Sequence, residues 1–229
     1  FASEITALHG LRMFGVLDNG RGGDGMRYEA QVTPIIDGGR ISSQTKAGVQ
    51  IEGANAVTLI VTAKTNYKQH YPDYTNANYQ KEHLAIIKSA IAKSYATLKD
   101  RHSRDFSSFM KRVSFQLEND TPNLPTNGLM ANNFRSGNEQ ALYPLYFQYG
   151  RYLLLSSSRA GGVPANLQGI WANKIQTPWN GDYHTDINVQ MNYWPAEVAN
   201  LSESHRPLMD LIASLVAPGS KTAKIQYGM

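Results

Sequence analysis

The stretch Thr177–Pro195, TPWNGDYHTDINVQMNYWP, decides how the rest of the chain is interpreted. Within it aromatic rings alternate with amide, carboxyl and imidazole groups: Trp179, Asn180, Asp182, Tyr183, His184, Asp186, Asn188, Gln190, Asn192, Tyr193 and Trp194. A packed core does not favour this mixture, because each buried amide without a partner costs about 1–3 kcal/mol. A pyranose favours it, since its C–H face stacks on aromatic rings and its hydroxyls pair with amides and carboxylates. The stretch indicates a carbohydrate site; the alternative is an aromatic-rich helix start with capping and solvated polar residues.

Composition excludes several other classes of protein. The 22 basic and 18 acidic residues form no long run or basic stripe, so nothing indicates nucleic acid as a partner. Cysteine is absent, which excludes disulfides, thiolate metal sites and a Cys nucleophile, and is compatible with a bacterial envelope or secreted protein. No apolar run reaches the roughly 18 residues of a membrane span. The chain opens at Phe1 without Met or a leader, so we expect it to be part of a longer protein.

The first third of the chain predicts antiparallel β structure. In Met26–Ile36, Tyr28, Ala30 and Val32 alternate with polar residues, and short polar turns separate this segment from three further strands. Those strands are Arg40–Thr45, Gly48–Glu52 and Ala56–Thr62. The glycine-rich Gly20–Gly25 lacks the Lys-Ser/Thr pair of a phosphate loop and predicts a hairpin loop instead. We expect the end of an antiparallel sandwich, with its other strands upstream of Phe1.

The middle of the chain predicts a polar connector and then a helical linker. The segments, in order, are a connector at Tyr67–Asn78, a helix over Lys81–Thr97 with Leu84 facing inward, a helix over Ser103–Val113, a short strand at Ser114–Leu117 and a loop over Glu118–Ser136. His102 is expected to cap or pack in this region rather than to bind a ligand. The Asn-, Pro- and Gly-rich loop is the predicted domain boundary.

The last third predicts helices only. Glu139–Ser158 is an amphipathic helix whose expected apolar face comprises Leu142, Leu145, Tyr146, Tyr149, Leu153 and Leu154. Thr185 or Asp186 is expected to cap a helix over Asn188–Asn200, and another helix starts over Pro207–Leu215. No strand is predicted after Leu117. The fold class is therefore α+β, with helical hairpins as in helix-paired toroids or bundles at the C-terminal end.

Three ordered blocks carry a resemblance to glycoside hydrolase family 95: YFQYGRYLLLSSSR (Tyr146–Arg159), PANLQGIW (Pro164–Trp171) and PWNGDYHTDINVQMNYWPAEVANLSE (Pro178–Glu203). KTAKIQYGM at the end of the chain resembles the segment that follows in the family. The resemblance covers Tyr146–Met229 and, more loosely, Arg21–Leu117. It implies residues 1–66 as the end of a β-sandwich domain, 67–138 as a helical linker region and 139–229 as the start of an (α/α)6 catalytic toroid.

The resemblance also implies an activity and a site. Family members are inverting exo-glycosidases, chiefly α-L-fucosidases that act on Fuc-α1,2-Gal caps, with some α-L-galactosidases. Their His-x-Asn-x-Asn motif falls on His184, Asp186 and Asn188, with Asp in place of the first Asn. The His contacts the sugar, and the two amides hold the attacking water for a distant Asp base. This implies Asp186 and Asn188 as catalytic residues and His184, Trp179 and Trp194 as substrate-binding residues.

The ionised Asp186 accepts hydrogen bonds but cannot donate them, so it orients water as an acceptor, shares the base role or selects a sugar such as L-galactose. Inverting hydrolysis needs an acid and a base about 6.5–9.5 Å apart. Asp182 and Asp186 are expected in the loop before the helix, and Glu197 is expected to be a helix-surface or capping residue. The family's Glu acid and Asp base come from later helices, which places both beyond residue 229.

Two hypotheses of different class remain open at this stage. One is part of a fucosidase-type hydrolase acting on a fucosylated glycan, in the periplasm or secreted. The other is a non-catalytic carbohydrate-binding or scaffolding helical domain. No cofactor is expected, and a metal centre is disfavoured because His184 and Asp186 lack a third ligand. We further expect the rest of the enzyme, or another copy, to cover the open face of the toroid.

Overall fold

The computed structural model describes residues 1–117, 124–137 and 139–228, which form two compact units, Phe1–His102 and Ser103–Met229. Strands come first and helices follow. The strands are β1 (Ala2–Ile5), β2 (Leu11–Asp18), β3 (Asp24–Asp37), β4 (Arg40–Thr45), β5 (Gly48–Glu52) and β6 (Ala56–Thr65). The α-helices are α1 (Tyr79–Ile91), α2 (Tyr95–Met110), α3 (Thr126–Ser136), α4 (Leu142–Ser157), α5 (Asn188–Tyr193), α6 (Pro195–Val198) and α7 (Arg206–Tyr227). The α+β class is confirmed: an antiparallel sheet is followed by helices.

The sheet of the first unit is antiparallel, in the order β1-β2-β3-β6, and β4 and β5 form a separate hairpin. The four predicted strands and the hairpin loop between β2 and β3 are confirmed. Strands β1 and β2 were not predicted. In β2, Gly15 interrupts the apolar pattern because it lies opposite Tyr28, whose ring occupies the space that a Cβ would need.

The sheet buries its polar side chains. Glu29, Gln31 and Thr33 of β3 are buried, whereas Leu59 and Val61 of β6 are exposed. Helix α1 packs against β6 and covers the polar face. His83 of α1 satisfies that face: its Nδ1 lies 2.6 Å from Glu29 Oε1 and its Nε2 lies 2.7 Å from Thr62 Oγ1. The apolar face of the sheet is left to solvent in this unit.

The first two helices after the sheet meet at a different residue from the one predicted. A single helix over Lys81–Thr97 is wrong, because α1 ends at Ile91 and α2 begins at Tyr95. The Ser94 side chain accepts a hydrogen bond from Thr97 N (3.2 Å), as an N-cap residue does. The second predicted helix is the latter part of α2. His102 lies inside α2 and is exposed, and Leu84 of α1 is also exposed rather than inward.

Two further local predictions are wrong. Ser114–Leu117 is irregular rather than a strand. The predicted loop contains helix α3. Gly137 follows the helix in a left-handed conformation and donates its N–H to Asn133 O at 2.7 Å, as a C-cap residue does. The first part of that predicted loop, residues 118–123, lies outside the described residues. No strand was predicted after Leu117, and in the described residues beyond it only an isolated bridge between Asn166 and Gly169 has β pairing.

The core of the second unit lies between α4, the α5–α6 segment and the start of α7. Its buried residues are Leu154, Leu155, Ala165, Val189, Tyr193, Ala196, Leu201 and Leu208, and Phe106, Phe109, Met110 and Leu211 pack against them. Helix α4 is confirmed, but its predicted apolar face is buried at Leu154, half-buried at Leu142 and Leu153, and wrong at the exposed Leu145, Tyr146 and Tyr149. Tyr146 is 80% exposed, and the buried side is formed by Leu154, Leu155 and the charged Arg151.

Arg151 explains why this face of α4 is buried. It is 2% exposed, and its guanidinium donates to the carbonyls of Phe109 (2.9 Å), Met110 (2.9 Å) and Ala199 (3.0 Å). It also donates to Gln148 Oε1 at 2.9 Å. Burial lowers the pKa of Arg151, and the nearby charge of Arg112 lowers it further. The guanidinium therefore binds the C-terminal carbonyls of α2, where a helix dipole favours a cation.

Replacing Arg151 by methionine should destabilise the protein by about 3–5 kcal/mol, because three buried or part-buried carbonyls each lose a charged hydrogen-bond donor. Urea unfolding of the wild type and of Arg151→Met measures the difference in the free energy of unfolding. Arg206→Met is the matched control, since Arg206 is exposed and its guanidinium pairs with Asp210, four residues later. That control should change stability by less than about 1 kcal/mol. Equal losses in the two variants would contradict the role given to Arg151.

Candidate functional site

The chain turns sharply just before the predicted site residues. A short 3-10 turn, Pro178–Gly181, contains three successive residues with positive φ: Trp179 (54°), Asn180 (57°) and Gly181 (63°). Glycine adopts this conformation freely and asparagine tolerates it, but a bulky tryptophan is uncommon there. Residues held in this way cost about 1–3 kcal/mol each and concentrate at functional sites. The turn presents the Trp179 indole to solvent, 76% exposed.

Trp179 and His184 are brought together by the structure. Their rings meet edge to face, with centroids 6.1 Å apart and an interplanar angle of 83°. The His184 carbonyl accepts a hydrogen bond from Val189 N at 3.0 Å, which ties the loop to the first turn of α5. An indole beside an imidazole offers a stacking surface with a hydrogen-bonding group at its edge.

The other predicted residues lie at either end of α5. Asp186 is exposed in the turn before the helix, and Asn188 is the exposed first residue of α5. Trp194 follows the last residue of α5 and is 64% exposed. The ring contact between Trp179 and His184 joins two of the five predicted residues.

The helix start differs from the prediction in its cap. Ile187, with φ at 87°, is the residue before α5, and no side chain caps the helix. Thr185 and Asp186 are therefore not caps; the Thr185 carbonyl instead accepts from Gln190 Nε2 at 2.6 Å. The predicted helix over Asn188–Asn200 is two short helices, α5 and α6. The carboxylate of Asp186 and the amide of Asn188 are left available to a ligand.

A cavity of about 300 Å³ lies between α4, α5 and the loop that joins them. Trp171, Gln168, Asn166 and Asn192 contribute its aromatic and amide groups. Sequence reasoning missed these residues as site candidates and used Pro164–Trp171 for family resemblance alone. The sequence did contain a signal, because Asn166 and Gln168 shortly precede Trp171, which is the same aromatic–amide mixture that indicated a carbohydrate site. None of the five predicted residues is among the residues that line this cavity.

Glu197 is a structural carboxylate, as expected for a helix-surface residue. It accepts from Ser202 Oγ at 2.5 Å and lies 3.0 Å from Nδ1 of His205. These hydrogen bonds, the one from Ser202 first, lower the pKa of Glu197. Glu197 therefore favours its charged form. Its partner His205 also stacks on Tyr193, whose pKa is raised by burial although hydrogen bonds with Ser158 and Ala165 oppose the rise.

Asp182 follows the 3-10 turn, and both it and Asp186 lie in the loop before α5, as predicted. No cluster of three His, Asp or Glu side chains suited to a metal ion occurs in residues 1–117, 124–137 and 139–228. In the same ranges, no helix is both long and apolar enough to cross a membrane.

Comparison with known proteins identifies the family. Residues 94–229 match the Glycosyl hydrolase family 95 catalytic domain. The chain is 36% identical over 201 residues to Alpha-L-fucosidase 2 of Arabidopsis thaliana, covering 85% of this chain and 24% of that protein. It is 33% identical over 216 residues to Probable alpha-fucosidase A of Aspergillus niger, covering 89% and 27%, and 31% identical over 218 residues to Probable alpha-fucosidase A of Aspergillus oryzae, covering 89% and 30%.

The chain belongs to glycosyl hydrolase family 95. It spans about a quarter to a third of the length of these relatives.

Proposed function

We propose that the whole protein is an inverting exo-glycosidase that removes terminal α-L-fucose, α1,2-linked to galactose, from glycans. The observation that carries the proposal is the pairing of the exposed Trp179 indole with His184, within the residues that match the family's catalytic domain. The relatives' names support the sugar, since all three are called fucosidases.

In this proposal the described residues form one wall of the site. The Trp179 indole stacks on the C–H face of the sugar and His184 hydrogen-bonds its hydroxyls, with Trp194 as a further stacking surface. The Asn188 amide donates to the attacking water and accepts from it, whereas ionised Asp186 only accepts. We place the general acid and the general base, which must stand about 6.5–9.5 Å apart, in the part of the protein beyond residue 229.

The assay that tests this function uses the full-length protein with 2′-fucosyllactose. Release of fucose, with the β-anomer appearing first in a proton NMR time course, is the expected result. Initial release of the α-anomer would reject inversion. Binding without any release would favour the alternative, a non-catalytic carbohydrate-binding helical domain.

A second activity, α-L-galactosidase, is favoured by Asp186, because a carboxylate that only accepts selects a different pattern of sugar hydroxyls from an amide. Asp186→Asn should therefore raise the ratio of kcat/KM for an aryl α-L-fucoside to that for the matching α-L-galactoside by about tenfold, equivalent to one well-made hydrogen bond of about 1.4 kcal/mol. Asp182→Asn, four residues earlier, is the control. A ratio that does not move would remove Asp186 from sugar selection.

We also propose the architecture that the resemblance implies: residues 1–66 as the end of a β-sandwich, 67–138 as a linker region and 139–229 as the start of an (α/α)6 toroid. A groove of about 690 Å³ lies between α3 and α4 and is lined by Met130, Phe134 and Tyr146 among others. This apolar groove supports the proposal that the rest of the protein, or a second copy, packs against this face. The proposed location is the periplasm or the exterior of a bacterial cell, on the resemblance and the absence of cysteine; the named relatives are plant and fungal.

A further inference from the structure

The turn that presents Trp179 is attached to α5 through a chain of amides. Asn192 of α5 donates its side-chain N–H to the Asn166 carbonyl at 3.1 Å. The Asn166 side-chain oxygen accepts from Gln168 N at 2.8 Å. The Gln168 side-chain nitrogen then donates to the Pro178 carbonyl at 3.2 Å. Gln168 is the last link between the helix and the turn.

Gln168 also fills the space behind the turn. Its Oε1 is buried, with no hydrogen-bond partner among the described residues. A Cβ built on Gly181 would lie 3.0 Å from that oxygen and 3.0 Å from Thr177 Oγ1. The turn therefore closes directly onto the Gln168 amide; Gly181 is favoured by its positive φ, and a Cβ there would push on this amide.

Hydrogen bonds within the turn also hold the strained backbone. Asn180 N donates to Thr177 O at 3.1 Å and Asp182 N donates to Trp179 O at 3.2 Å, which closes the turn on itself. The Gln176 side chain donates to Asn180 Oδ1. These bonds lie within residues 176–182, so they do not fix the turn relative to α5. The Gln168 amide is a contact from outside the turn, and it acts together with the Trp179–His184 ring contact to set the direction of the indole relative to α5.

We propose that Gln168 is a positioning residue: it holds the Trp179–Gly181 turn in its left-handed conformation and so sets the indole and His184 against a bound sugar. The part of this proposal that concerns sugar binding rests on the proposed function. Gln168 does not touch the sugar in this proposal; it acts through the Pro178 carbonyl.

The first measurement is local and independent of activity. In full-length protein, Gln168→Met keeps the length of the side chain and removes the donor. Hydrogen–deuterium exchange of the peptide covering residues 177–184 should become at least about tenfold faster, because the Asn180 and Asp182 amides lose their support. Peptides from α4 and α5 should exchange as in the wild type. Unchanged exchange over residues 177–184 would overturn the proposal.

The second measurement links the turn to the sugar. Gln168→Met should raise KM for 2′-fucosyllactose by about tenfold with less than a twofold change in kcat, since stacking holds substrate and transition state alike. In a Trp179→Ala background the same substitution should add nothing, because both changes remove one interaction. Additive effects, or an unchanged KM, would overturn the claim that Gln168 acts through Trp179.

Two glycine substitutions provide an independent test if the methionine variant folds poorly. Gly181→Ala forces a Cβ against Gln168 Oε1 and should reproduce the rise in KM. Gly161→Ala is the matched control: Gly161 also has a positive φ, 84°, but a Cβ there meets nothing within 4 Å, so KM should not move. Equal effects of the two would overturn the proposal. If the wild-type protein releases no fucose, the proposed function fails, and the exchange measurement alone still decides whether Gln168 holds the turn.

Discussion

Asn188→Ala in the full-length protein should lower kcat by about 10²–10⁴-fold, the range for loss of a positioned partner in proton transfer. The physical reason is that only Asn188, of the two motif residues next to α5, offers both a donor and an acceptor to the attacking water. Steady-state kinetics on 2′-fucosyllactose measures the loss. The melting temperature should stay nearly unchanged, because the Asn188 side chain is exposed and α5 has no side-chain cap to lose.

A matched asparagine separates this role from a general effect of the substitution. Asn78 precedes α1, is exposed and likewise provides no side-chain cap. Asn78→Ala should therefore leave both kcat and the melting temperature as in the wild type. If Asn188→Ala instead unfolds the protein without a selective loss of rate, Asn188 is a structural residue and the assignment fails.

The β structure was predictable where the alternation of residue types was regular. Strand β3 was found from its period-two pattern, because a strand places successive side chains on opposite faces, and β4, β5 and β6 were found from the turns that separate them. Strand β2 was missed since Gly15 accommodates the Tyr28 ring, which is a contact between strands and leaves no trace in local sequence. The polarity of the buried face depended on His83, a residue from a helix that follows much later in the chain.

The helices show the same division between local and distant causes. The amphipathic pattern predicted α4 but not its orientation, because the buried Arg151 reads as a polar residue until the carbonyls of Phe109 and Ala199 are placed around it. The boundary between α1 and α2 had a local signal, the capping Ser94, that the hydrophobic period obscured.

At the candidate site, the sequence indicated the type of surface but not its construction. The aromatic–amide mixture pointed to Trp179 and His184, which the structure brings into contact. A left-handed tryptophan is not predictable from propensity, because sterics disfavour it and only the surrounding contacts impose it. The part played by Gln168 depends on a hydrogen bond across ten residues of irregular chain, to Pro178. The catalytic assignments of Asp186 and Asn188 stay predictions.

The isolated 229-residue chain should not hydrolyse fucosides at all. A general acid in an inverting glycosidase needs a raised pKa so that it is protonated at neutral pH. Glu197 has the opposite property, because its hydrogen bonds to Ser202 and His205 lower its pKa. Glu203 is likewise held by Arg112, with its two oxygens 2.8 and 2.9 Å from the guanidinium, and its pKa is lowered for that reason. Neither carboxyl group is suited to protonate the leaving oxygen.

Exposed apolar surface adds a second reason for inactivity. Phe134 is 93% and Tyr146 is 80% exposed beside the groove between α3 and α4. At about 25 cal/mol per Å² of apolar area, leaving several such side chains in water costs several kcal/mol, which is comparable to the stability of a whole domain. We therefore expect the isolated chain to be well ordered only when the rest of the protein, or another copy, covers this face.

The test incubates the purified chain with 2′-fucosyllactose and with an aryl α-L-fucoside, beside the full-length protein at the same molar concentration, and follows fucose release. We expect release by the full-length protein and none above buffer by the 229-residue chain. Turnover by the chain, with no full-length contaminant detectable by mass spectrometry, would place both the acid and the base within these residues. Asp182 and Asp186 would then be the first candidates, because both lie exposed in the loop that carries His184, whereas Glu197 is already bound by Ser202 and His205.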